Sequence, residues 1–194
     1  MAMCVLPVIY FEYGDSLADS IGLSLNQAVA SIVIFAAIGE ALRLKLGITV
    51  FGQREYESKQ VSALAWGALA IGLVFLSTPT EAYAYPLILT LAFGDPFMGE
   101  LRRRGHESRI VITYACILVL GIWLACWYWF DTPLLASIIV APIAVYSETP
   151  RLRYIDDNAT MLLIPLAVII IPVSYTHLRA HETRHDLVCR LLLE

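Results

Sequence analysis

The chain has 194 residues, 59% of them hydrophobic and only 15% charged, with a formal net charge of −4. Its mean hydropathy is +0.71, and its apolar share lies well above the roughly 45–50% of soluble domains. That composition argues against a soluble globular domain, and the absence of a basic tract argues against an electrostatic nucleic-acid binder.

A helix needs about 20 apolar residues to cross a hydrocarbon core. The apolar pattern predicts spans at 22–42, 60–78, 82–98, 110–130, 133–147 and 158–172, preceded by an apolar piece over 1–11. The expected fold is therefore all-α, a polytopic helical bundle of about six spans forming one membrane domain over 1–172. Segments 82–98 and 133–147 are short and carry Pro86, Pro96 and Pro142. They predict broken or re-entrant helices, which a membrane tolerates only against protein or a watery cavity.

Every lysine and arginine of the first 172 residues falls between Glu40 and Lys59, between Gly94 and Arg109, or between Glu148 and Asn158. The intervening loops hold only acidic residues such as Glu81 and Asp131. By the positive-inside rule the basic loops are cytoplasmic, and Glu12, Asp15 and Asp19 fall outside. Cys4, Cys116 and Cys126 stand singly in apolar segments and read as structural thiols.

Residues 173–194 read differently. The run from Val173 to Thr183 and the end Leu187 to Glu194 resemble translated sequencing adaptor, so this tail is expected to be non-native and the domain a fragment. His177, His181 and His185 would otherwise mimic a metal-binding helix face. Apart from them, the histidine of the chain is His106.

The three clusters carry the chemistry. Glu40 and Arg43 lie one helical turn apart, spaced to pair with each other or to converge on a polar group. A solvated helix end is the plainer alternative. Asp95, between Gly94 and Gly99, places a carboxylate at the end of an apolar span, where ionisable groups are costly and mark functional sites. An interfacial cap would explain it too. Arg102, Arg103 and Arg104 serve as a topology signal or as a phosphate cradle. Asp156, Asp157 and Asn158 suit a helix N-cap, or a magnesium ion, which prefers oxygen ligands and arrives with phosphates.

Taken in order, the clusters resemble the polyprenol kinase family, which includes dolichol kinase, phytol kinase and the CTP-dependent diacylglycerol kinase. The motifs that match are Glu40 and Arg43, then Arg54 and Glu57, then Gly94, Asp95, Gly99 and Arg103, and last Glu148, Asp157, Asn158 and Pro165. The match runs over about 40–172. The chain departs from the family in having Pro96, Phe97 and Met98 after Gly94-Asp95, and His106 to Arg109 where a Lys-Thr-x-Glu-Gly element is usual. The resemblance implies a membrane kinase that moves the γ-phosphoryl of a nucleotide, CTP, onto a polyprenol, phytol or diacylglycerol hydroxyl. In that reading Asp95 and Asp157 hold Mg2+ or another divalent cation, with Asn158 in support. Glu148 or Glu40 orients or deprotonates the alcohol, and Arg43, Arg54 and Arg103, together with Asn158, bind nucleotide or phosphate. The implied partners are the lipid alcohol, the nucleotide and the bilayer, with no nucleic acid.

No Walker sequence or kinase glycine-rich loop is present. The rival readings are a phosphatidate cytidylyltransferase-like enzyme, whose long signature the chain lacks, and a membrane transporter or scaffold. A transporter keeps its ionisable groups near mid-bilayer, whereas here they gather at one margin.

Overall fold

The computed structural model describes residues 2–48, 60–78, 80–150, 152 and 155–171. All the regular structure among these residues is helical, so the all-α expectation holds. The helices are α1 (Met3–Ser20), α2 (Leu25–Leu46), α3 (Ala63–Ser77), α4 (81–103), α5 (Ser108–Phe130), α6 (Leu134–Ser147) and α7 (Asp157–Ile171).

Local chemistry sets the ends. Ser24 and Gln27 form a reciprocal capping box at the start of α2, and the Ser62 hydroxyl accepts from the Ala65 N–H at the start of α3. Helices α2 and α4 both close on a left-handed glycine, Gly47 (φ 64°) and Gly105 (φ 80°). The following N–H groups then turn back to the Arg43 and Leu101 carbonyls.

Helix α4 departs from the sequence reading. A break was expected near Pro86 and Pro96, but helix Glu81–Leu89 passes through a π-helical turn, Thr90–Gly94, directly into Asp95–Arg103. Each proline is accommodated. Pro86 has no N–H to give the Ala82 carbonyl four residues back, and the Thr132 hydroxyl donates to that carbonyl instead, at 2.6 Å. Pro96 likewise cannot serve the Ala92 carbonyl and crowds it, so the preceding turn widens into the π form. Thr90, in that turn, donates to the Pro86 carbonyl at 2.7 Å and accepts from the indole N–H of Trp123 at 2.9 Å. Helix α6 also runs on through Pro142.

Trp123, Leu87, Ile88, Met98, Val145, Met161 and Leu162 are fully buried at the centre, which α4, α5, α6 and α7 share. Thr132, just before α6, meets the start of α4, and Glu148, just after α6, meets Arg102 at its end. Helices α4 and α6 therefore run in the same direction.

Helix α1 joins this group through aromatic contacts, with Tyr10 stacked on Phe75 and Phe11 on Tyr85. Helix α2 then leaves at an 87° bend and packs on α3, where the Gly72 backbone admits Val33 so closely that a Cβ would collide with it.

Among the described residues, one helix, α5, is long and apolar enough to cross a membrane. Helices α1 and α2 meet that criterion only together, across their bend, while α3, α6 and α7 are apolar but shorter. The outer faces are strongly apolar, with Phe35 73%, Trp129 71% and Leu135 71% exposed.

Candidate functional site

Two polar networks form at helix ends. The first ties α2 to α3. Arg43 donates through Nε and Nη2 to the two oxygens of Glu40, at 2.9 and 2.7 Å. The same guanidinium reaches the Ile48 and Gln60 carbonyls, at 3.0 and 2.7 Å, and the Ser62 N–H donates to Glu40 at 2.6 Å. The expected pairing of Glu40 with Arg43 is present, and it does structural work by holding both ends of the loop between α2 and α3. Beside it lies an apolar cavity of about 250 Å3, lined by Glu40, Ala37, Leu44, Ala65 and Leu69 among others.

The second network joins α4, the end of α6 and the start of α7. Arg102 forms a two-pronged ion pair with Glu148, Nη1 to Oε1 at 2.6 Å and Nη2 to Oε2 at 2.8 Å. The Glu148 side chain is 1% exposed and that of Arg102 is 44% exposed, so the pair is buried on its acidic side and open on its basic side. Those bonds push the guanidinium further up its already high range, which keeps it charged.

Asp95 is half-buried and lies within electrostatic reach of Asp157, Glu148, Asp156 and Arg102. No donor among the described residues bonds its carboxylate. Asp156 caps α7, with Oδ2 accepting from the Asn158 N–H at 3.2 Å and from the Asn158 amide at 2.8 Å. Burial, and then the adjacent Asp157 charge, pushes the Asp156 carboxyl above the usual carboxylate range. The N-cap alternative thus describes Asp156, while Asp157 is exposed and its Oδ1 also accepts from the Asn158 N–H.

The predicted residues divide accordingly. Asp95, Glu148 and Asp157 come together, and Asn158 joins them with an amide donor committed to Asp156. Glu40 and Arg43 belong to the other network, and no residue is common to the two. Arg103 does not face the acidic group. It pairs with Glu100, as does Arg104. Arg54 and Glu57 lie outside the described residues.

Sequence groups Arg102 with Arg103 and Arg104, and its spacing from Asp95 is what separates it from them. Residues seven apart on an α-helix fall within about 20° of one face, and the next residue lies about 100° further round.

Among the described residues, no group of three or more carboxylate, imidazole or thiol side chains is arranged to hold a metal. Asp95 and Asp157 lie within electrostatic reach of each other, and two carboxylates are about what magnesium takes from a protein. That ion keeps several waters and takes one or two carboxylates together with substrate phosphates.

In comparisons with protein-family models, curated proteins and solved structures, nothing matches this chain.

Proposed function

We propose that the chain is a membrane lipid-alcohol kinase, a polytopic bundle of about six spans whose basic loops and site face the cytoplasm. The observation that carries the reading is the gathering of Asp95, Glu148, Asp157 and Arg102 from two separate polar stretches of the chain. They meet where apolar helices end, at the depth where a lipid hydroxyl and a soluble nucleotide can meet.

In this reading the lipid hydroxyl oxygen bonds to the γ-phosphorus of CTP while the bond from that phosphorus to the β–γ bridging oxygen breaks. The products are the lipid phosphate, CDP and the hydroxyl proton, which passes to water. Phosphoryl transfer depends mainly on positioning and on charge neutralisation. Asp95, which has no protein donor among the described residues, and Asp157 would hold a divalent cation, which would supply neutralisation of phosphate charge. Glu148 acts through Arg102, to which both of its oxygens are bonded, and holds that guanidinium for the phosphates. Glu40, locked by Arg43 and Ser62, borders an apolar cavity suited to hydrocarbon.

The test supplies membranes containing the protein with magnesium, γ-labelled CTP or ATP, and polyprenol, phytol or diacylglycerol. Label appearing on one lipid supports the kinase and names its substrate. Asp95→Asn is expected to lower turnover by at least ~10²-fold, and unchanged turnover sinks the role of Asp95. Transfer of CMP would favour the cytidylyltransferase reading. No transfer of either kind by folded protein would favour a transporter or scaffold.

A further inference from the structure

The three adjacent arginines at the end of α4 are not equivalent. Arg103 and Arg104 both close on Glu100 on the outer face of the helix. Arg102 lies on the face of Asp95 and is the cation acting on that carboxylate. An arginine carries five N–H donors. Arg102 commits one from each terminal nitrogen to Glu148, which leaves three without a protein partner among the described residues. The Arg102 side chain is 44% exposed against 1% for that of the glutamate behind it. Glu148 therefore acts as a buttress, fixing the plane of the guanidinium and turning its open edge outward. Asp95 and Asp157 also act on it electrostatically, and their charges repel an anion that arrives without a cation.

We propose that Arg102, held by Glu148, is the phosphate-binding arginine of this site and selects a polyphosphate nucleotide at its terminal phosphates. The proposal rests on the kinase reading. The geometry also sets what can replace it. A lysine offers three donors from a single point, so it can satisfy Glu148 or reach a phosphate but cannot form two parallel bonds to one while presenting a flat edge to the other.

The experiment measures binding of labelled CTP, with competition by inorganic tripolyphosphate in magnesium, to the full chain in detergent. Lipid phosphorylation is measured in parallel. Arg102→Lys is expected to weaken CTP and tripolyphosphate binding by roughly 10–100-fold, with Arg104→Gln as the control that binds normally.

Removing Arg102 strands Glu148, so the double variant Arg102→Gln with Glu148→Gln serves as the folding control. It is expected to be folded and still to bind CTP poorly. Recovery of binding in the double variant would reduce Arg102 to a structural partner and overturn the proposal. Wild-type affinity in Arg102→Lys, or an equal loss in Arg103→Gln, overturns it while lipid phosphorylation by the wild type leaves the kinase reading standing. If the wild type neither binds CTP nor transfers phosphate, both fall.

Discussion

At the scale of single residues, the Arg102–Glu148 pair is lopsided, and its two ends are expected to differ in cost. Loss of Arg102 leaves a carboxylate inside the protein with no counter-charge, a situation worth about 3–5 kcal/mol. Loss of the glutamate charge leaves a guanidinium that can turn to water, and exposed pairs are worth about 0–1 kcal/mol. Arg102→Gln should therefore destabilise the protein by about 2 kcal/mol or more beyond Glu148→Gln, measured by denaturant unfolding followed through tryptophan fluorescence. Equal costs would mean that water reaches Glu148 from another side. Helical spacing pairs Glu40 with Arg43, and the cost of charge at a span end marks Asp95, whereas Glu148 and Arg103 come from the family resemblance. A run of three arginines carries no mark of which one faces inward. That depends on the rotation of α4, which Asp95 and the widened turn fix together.

At the scale of the elements, the decisive feature is how closely α4 is pressed into the bundle. A Cβ on Gly94 would lie 2.8 Å from the terminal methyl of Met161 and 3.4 Å from a methyl of Val119. A methionine end can move, so alanine is expected to be mild there. Gly94→Val pushes branched carbons toward both α5 and α7, and overpacking of this kind costs about 1–3 kcal/mol. It also forces α7 away from Asp95. The expected result is a lower unfolding midpoint together with loss of lipid phosphorylation, whereas Gly94→Ala keeps both nearly intact. A variant with normal stability and activity would show that the helices are not in contact at this glycine.

The prolines of α4 could not be placed correctly from sequence. A proline normally ends or kinks a helix, and the partner that rescues the Ala82 carbonyl, Thr132, is far along the chain. Composition fixed the helical class, but a satisfied carbonyl is a tertiary fact.

At the scale of the whole molecule, the proposed topology puts the basic loops on the side of the acidic site and the acidic residues of α1 on the opposite side. A single cysteine tests this arrangement. After removal of the native cysteines, Glu107→Cys is expected to react with an impermeant maleimide only in inside-out vesicles, and Asp19→Cys only in right-side-out ones. Labelling of both from one side would refute the six-span orientation. The proposed topology rests on this alternation of charge along the chain. The 87° departure of α2 from α1 was not readable, because the junction at Gly22 looks like any short turn.

The widened turn at Thr90–Gly94 constrains how this gene can vary. Upstream of it α4 is anchored by Thr132 on Ala82, and at its first residue by Trp123 on Thr90. Downstream it is anchored by Arg102 on Glu148. Removing a single codon between 90 and 94 would close the turn and leave a helix, but one part would advance about 1.5 Å and rotate about 100° against the other. Both sets of anchors could not then be kept. The length of chain between them is fixed to the residue, so reading-frame-preserving deletions there are more damaging than most substitutions in the same stretch.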